Sequence, residues 1–425
     1  MFCTTLLSKA SNSAGMGWRD RLVIWLVPCL GTLISACATV AEPGPTSPPS
    51  AVTVAAPAPP LTQPAVVVLP FNDAVKLAAT NLLSNAPIPA GKKLKIVIDP
   101  LVDGNTGGET VSTAAIEQFL QQLVKKDYPQ IEVKPFDGKT LVDASLIMVG
   151  TFTPINLQGK ADGERDAYRI CFKLADLKSG KIVSAGFARA RPDGIDSTPQ
   201  ALFSEMPVWL RDPAVEGYIK TCQGTKVGDP IHPAYVDAIV AAATINEAKQ
   251  AYNEQRYKDA LALYQAVLRN PAGKQARVYA GMYLTNLKLR RTSDAAESFS
   301  QLVTMGLAAE KLAIRFQFKP GSTGFDATNK AYPGWLKEIG RQSAKLSGCV
   351  EVGGHTVRSG SPVVAETLTL QRAEFVRKKI SALVPSFSVK STVQGYGASK
   401  NVVGTGVNNA SDNLDERIEF RKTGC

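Results

Sequence analysis

The chain reads as a multidomain protein of the α/β plus α class: a small N-terminal α/β domain, a helical repeat region and a second α/β unit at the C-terminus. Three observations carry that reading. Apolar spacing alternates between strand and helix periods over 94–188, keeps a helical period over 235–306, and alternates again from 312 onward. With 425 residues, 44% hydrophobic and 20% charged, the chain is long enough for two or three ordinary cores.

The first 64 residues stand apart from those cores. Residues 16–21 form a basic n-region and Leu22 to Ile34 an apolar stretch too short to span a bilayer comfortably, so residues 1–36 read as a signal peptide. Met16 gives a signal of normal length and is a candidate true start. Ile34-Ser35-Ala36-Cys37 is similar to the lipobox of bacterial lipoproteins. That resemblance implies lipid on Cys37 and, because Ala38 rather than Asp follows, anchorage in the outer membrane. Residues 37–64 are then an acylated cysteine and a Pro-rich tether, about 25 residues reaching roughly 75 Å in polyproline form.

Residues 65–212 are expected to form the α/β domain. Leu94–Ile98, Ile131–Val133 and Leu146–Phe152 read as strands, and Thr113–Lys126 as an amphipathic helix through Ile116, Phe119, Leu120 and Leu123. Tyr168–Leu174 and Lys181–Ala188 read as a hairpin turning at Lys178-Ser179-Gly180. At low specificity the segment is similar to accessory domains of envelope lipoproteins. Asp103 to Gly108 is glycine-rich but lacks the Lys a phosphate loop requires, and reads as an ordinary turn.

Residues 213–309 are expected to be helical. Arg256-Tyr257-Lys258-Asp259-Ala260, with Tyr264, Val267 and Pro271, resembles a tetratricopeptide (TPR) unit, and Ala295, Phe299 and Leu302 repeat it about 35 residues later. Two such units with exposed Tyr and Arg side chains suit either a packed spacer or a groove for a protein partner, with Arg256 and Arg290 as positions to probe.

Residues 310–425 contain the most specific pattern. Val350 and Val352 mark a strand that ends in Gly353-Gly354-His355-Thr356-Val357, and Ala373, Val376, Ile380 and Leu383 mark a helix over Glu366–Val384. The second glycine is read as a position of unusual dihedrals. Gly354, His355, Thr356, Leu368, Arg372, Ala373 and Arg417, in this order, resemble the OmpA-like (OmpA/MotB/Pal-type) peptidoglycan-associated domain. Ile314–Phe318 and Tyr332–Leu346 would be its first strand and helix in a βαβαβ arrangement.

The resemblance implies peptidoglycan as ligand, with Arg372, Thr356, His355 and Arg417 at the site. In that family a loop Asp holds the ammonium of diaminopimelate and the helix Arg its carboxylate. Here Val357 stands at the Asp position, Ala365 and Thr369 replace an Asn and a Ser, and Asp415-Glu416 replaces Asn-Arg. Half of the usual grip is therefore missing, and weak wall binding is expected. Arg372, read as lying in the first turns of its helix, suits a carboxylate; the competing reading is an internal ion pair with Glu366 or Asp415.

Four cysteines remain after processing: Cys171, Cys222, Cys349 and Cys425. An even number in an oxidising compartment points to two disulfides, and pairing Cys171–Cys222 and Cys349–Cys425 is the simplest of three connectivities. The two histidines, His232 and His355, stand in no zinc or nucleophile pattern, so no enzyme, metal or cofactor is expected. The net charge of +11, or +9 without residues 1–36, suits acidic wall polymers and lipid head groups. Nucleic acid is not expected, since no basic run is interleaved with aromatics. The overall reading is a non-catalytic outer-membrane lipoprotein linking membrane to wall; the alternative is an adaptor for an envelope machine or peptidoglycan synthase that has lost wall binding.

Overall fold

The computed structural model describes residues 67–88, 92–326, 329–406 and 412–425. The expected signal peptide, Cys37 and the tether lie outside the described residues. Among the described residues, no helix is long and apolar enough to cross a membrane.

The first unit contains β1 (Val68–Leu69), α1 (Phe71–Ser84), β2 (Leu94–Ile98), β3 (Val102–Asp103), α2 (Val111–Asp127), β4 (Ile131–Lys134) and α3 (Gly138–Asp143). Three long strands follow: β5 (Leu146–Ile155), β6 (Ala167–Asp176) and β7 (Lys181–Ala190). The sheet order is β1-β7-β6-β5-β2-β4, with β3 beside β5. Strands β5, β6 and β7 pair antiparallel, whereas β4, β2 and β5 run parallel. Every residue of β5 is buried, as a strand covered on both faces requires. Side-chain parity sorts the two faces: Ile96, Ile98 and Met148 pack with α1 and α2, while Val97, Ile147 and Val149 belong to the opposite core. Helix α1 had no signal in the sequence reading because half of its buried stripe is Ala74, Ala78 and Ala79.

That opposite core changes the domain boundary expected at 212. After α4 (Ala201–Glu205) and β8 (Val208–Trp209), α5 (Pro213–Gln223) and α6 (Pro233–Val236) bring Tyr218, Ile219 and Tyr235 onto the first sheet rather than joining the helical region. The Tyr218 hydroxyl donates to the Pro100 carbonyl at 3.0 Å and accepts the Gly150 N–H at 2.9 Å. A disulfide joins Cys222 of α5 to Cys171 of β6. Helical periodicity reports a buried stripe without saying which surface buries it.

The next layer is α7 (Ile239–Asn253), α8 (Tyr257–Val267), α9 (Ala276–Lys288) and α10 (Thr292–Ala308). The α7–α8 and α9–α10 turns repeat: Gln255 (φ 61°) and Arg290 (φ 59°) are both left-handed. In both, the next N–H reaches back five residues, Arg256 to Ala251 and Arg291 to Asn286, each at 2.8 Å, a glycine-type C-cap built without glycine. Tyr252, Tyr264 and Tyr283 are buried, contrary to the expectation of exposed tyrosines, while Arg256 and Arg290 are exposed.

The last unit adds β9 (Leu312–Ile314), α11 (Tyr332–Ala344), β10 (Cys349–Gly354), α12 (Pro362–Leu383), β11 (Ser391–Gly395) and β12 (Ile418–Thr423). Its sheet order is β11-β10-β12-β9-β8, so β8, far upstream in sequence, forms an edge. One core joins this sheet to the helical layer. Trp335 of α11 stacks on Phe299 of α10 at 5.4 Å and donates to the Tyr283 hydroxyl at 2.9 Å. The Cys349–Cys425 disulfide ties the chain end to the start of β10. Two boundaries differ from the sequence reading. The first strand is Leu312–Ile314, because Phe316 and Phe318 turn into an aromatic cluster with Phe325; α12 starts at Pro362, four residues before the expected Glu366.

Candidate functional site

His355, Thr356 and Arg417 meet at the end of β10, and Arg372 lies on α12 one turn beyond Thr369, the residue packed on Gly354. Gly354 is required there by closeness, not by unusual dihedrals: a Cβ would lie 2.1 Å from the Thr369 carbonyl oxygen, and its φ is not positive. The loop beyond is pinned to its neighbours. The His355 N–H donates to the Arg417 carbonyl, and the Thr356 N–H to the Gly397 carbonyl, both at 3.0 Å. The His355 ring stacks on Tyr396 at 4.9 Å, with Nε2 3.5 Å from Glu419 Oε2. Burial pushes the His355 pKa below its ordinary value.

The two arginines are engaged to different degrees. Arg417 is 3% exposed and makes bonds of 2.7 and 2.8 Å to Glu419, one of 3.0 Å to the Lys400 carbonyl, and a 3.8 Å contact to Asp415. Burial opposes ionisation of Glu419, yet His355 and Arg417 hold its pKa down to about 2. Asp415 accepts the N–H groups of Val402, Val403 and Gly404 at 2.6, 3.1 and 2.8 Å, and so fixes the neighbouring loop. Among the described residues it makes no ion pair with Arg372.

Arg372 is 4% exposed and lies in the third turn of α12, so the helix N-terminus is too far for the dipole argument made from sequence. Its Nε donates to the Ser322 carbonyl at 3.1 Å, its guanidinium lies 4.6 Å from the Phe318 ring centre, and Nη1 stands 3.6 Å from Glu416 Oε1. The internal partner is thus Glu416, not Glu366 or Asp415. Sequence spacing missed it because Glu416 arrives from a different loop; its place beside Arg417 was the available hint. Val357, where a carboxylate was sought, is half-buried and apolar. The site therefore offers one guanidinium with a long, partly exposed ion pair, an interior histidine, and no nearby acid in the loop. Cys37 lies outside the described residues.

The Asp103 loop is a closed turn. Asp103 Oδ1 accepts the Asn105 and Thr106 N–H groups, and Gly107 donates to the Asp103 carbonyl, so these donors are not free for a phosphate. Among the described residues there is no cluster of His, Cys, Asp or Glu suited to a metal ion.

Several solved structures are similar to about a quarter of this chain. The peptidoglycan-associated lipoprotein from Burkholderia pseudomallei is 21% identical, over 27% of this chain and 92% of that one, with a TM-score of 0.23. The cell wall anchor of the T6SS from Pseudomonas aeruginosa is 20% identical over 27% of this chain and 81% of that one, with a TM-score of 0.23. The OmpA-like domain of FopA1 from Francisella tularensis is 19% identical over 26% of this chain and 70% of that one, with a TM-score of 0.21. No family model and no curated protein matches the chain.

Proposed function

We propose that this protein is a non-catalytic outer-membrane lipoprotein, anchored through acylated Cys37, whose C-terminal OmpA-like βαβαβ domain associates weakly with peptidoglycan. The observation that carries the reading is Arg372, a buried guanidinium on α12 whose only carboxylate partner among the described residues is 3.6 Å away and 39% exposed. A ligand carboxylate can displace such a partner at modest cost. Charge supports the same direction: residues 310–425 hold 17 basic and 10 acidic side chains, the larger share of the chain's +11.

Co-sedimentation of the full chain with purified sacculi tests this. Wild type should bind weakly, Arg372→Ala should bind roughly ten- to a hundredfold less, and Val357→Asp should bind more tightly by supplying the missing partner for an ammonium. Binding of Arg372→Ala equal to wild type would sink the residue assignment. The alternative, an adaptor without wall affinity, is favoured by the contacts Arg372 already makes with Glu416, Ser322 and Phe318, and is upheld if all three proteins fail to sediment. In either case the two helical hairpins are read as TPR-like, with Arg256 and Arg290 facing a protein partner.

A further inference from the structure

A second site, independent of the wall-binding reading, lies in the first unit. The connection leaving β2 runs through α2 toward β4, while β5 connects directly to β6 on its other side. Loops diverging from adjacent parallel strands leave a crevice at their carboxyl ends, where open α/β sheets take ligands. Here that crevice is a cavity of about 60 Å³ beside Asp103 and Pro154, with apolar walls that include Tyr168, Phe203, Met206, Trp209 and Val403.

Its polar lining has an uneven charge pattern. Arg277, in the first turn of α9, donates from Nε to Gln275 Oε1 at 2.8 Å, and among the described residues it forms no salt bridge. Three carboxylates line the same cavity: Asp103, whose Oδ1 is fixed by the Asn105 and Thr106 N–H groups at 2.8 and 2.7 Å; Glu109, which is paired with Lys249; and Asp212, whose two oxygens accept backbone N–H groups of α5 and α9. A simple anion would face Arg277 but also three acids. A simple cation would leave the guanidinium unpaired. A zwitterion matches both signs, and the apolar walls with little volume between them suit a short aliphatic side chain and exclude an aromatic one.

We propose that this crevice binds a small aliphatic α-amino acid, with the carboxylate on Arg277 and the ammonium on the side of Asp103 and Glu109. Calorimetric titration of the full chain with alanine and valine, in L and D forms, tests it against propionate, isobutyrate and isobutylamine, which each carry one of the two charges. At least one amino acid should bind at a single site, with the acids and the amine weaker by about tenfold or more. Arg277→Gln should weaken binding by a similar factor, and Arg277→Lys should restore part of it. Met206→Trp fills the cavity from an uncharged wall and should abolish binding; thermal unfolding checks that each variant is folded. Should Arg277→Gln fail to fold, Met206→Trp decides alone. The proposal is overturned if no amino acid binds at millimolar concentration, if an acid or the amine binds equally well, or if Met206→Trp binds as wild type does.

Discussion

At the residue scale, Arg372 and Arg417 are both almost fully buried, and what separates them is the quality of their partners. Arg417 has short bonds to Glu419 and serves as an internal strut; Arg372 keeps a long contact to an acid that also reaches solvent. Burial alone would not have told them apart. Glu117 shows the opposite problem, an acid whose burial and whose neighbour Glu109 push its pKa up to about 8, while the Leu101 N–H favours its ionised form. The folded state holds this proton more tightly than the unfolded chain does. The stability it contributes is therefore complete below about pH 4.5 and is lost as pH rises through about 8. Glu117→Gln keeps the acceptor and removes the titration. Chemical denaturation at pH 5 and pH 9 should show a loss on the order of a few kcal/mol in wild type that is much reduced in the variant. An equal pH slope in both would refute the assignment.

At the scale of elements, the helical hairpins turn on left-handed residues that are not glycine. Gln255 and Arg290 carry φ values of 61° and 59°, and both are exposed. A left-handed L residue costs roughly 1–2 kcal/mol, and the freedom glycine adds to the unfolded chain takes back about 0.4–1. Arg290→Gly should thus raise stability by roughly 0.5–1 kcal/mol, read as a higher denaturant midpoint at unchanged slope. A lower midpoint would mean that the Arg290 side chain makes a contact worth more than the backbone strain. Strand β8 teaches a different lesson: two residues with no strand signature of their own, Val208 and Trp209, become an edge because β9 presents open hydrogen bonds beside them.

At the scale of the whole molecule, the units described from 67 onward are joined by shared caps and a shared core rather than by a single linker. Asp212 is 2% exposed and caps two helices at once: Oδ1 accepts the Ala214 and Val215 N–H groups of α5 at 3.1 and 3.0 Å, and Oδ2 accepts the Ala276 N–H of α9 at 2.8 Å. Asp212→Ala leaves three donors, two of them buried, without partners and should cost about 2–4 kcal/mol, while Asp212→Asn keeps the α5 cap and should cost less. Equal denaturant midpoints for wild type and Asp212→Ala would show that the joint is not under load. The proposed attachment to the membrane is tested separately. Cys37→Ala should shift the protein from the membrane to the soluble fraction, and wild type should carry lipid mass; a membrane-bound Cys37→Ala would refute the anchor.

Local chemistry was legible in the sequence: the hairpin at Lys178-Ser179-Gly180, the central strands, the helical character of the middle segment, and the pairing of four cysteines into Cys171–Cys222 and Cys349–Cys425. Each rests on periodicity, turn residues or counting, which neighbouring residues fix among themselves. The partner of Arg372 and the surface covered by α5 were decided by tertiary structure. Arg372 meets Glu416 from a distant loop, α5 covers the first sheet, and Gly354 is glycine because Thr369 of α12 lies against it. Periodicity states that a face must be buried and an ion paired, but the nearest surface and the nearest carboxylate are set only when the chain closes on itself.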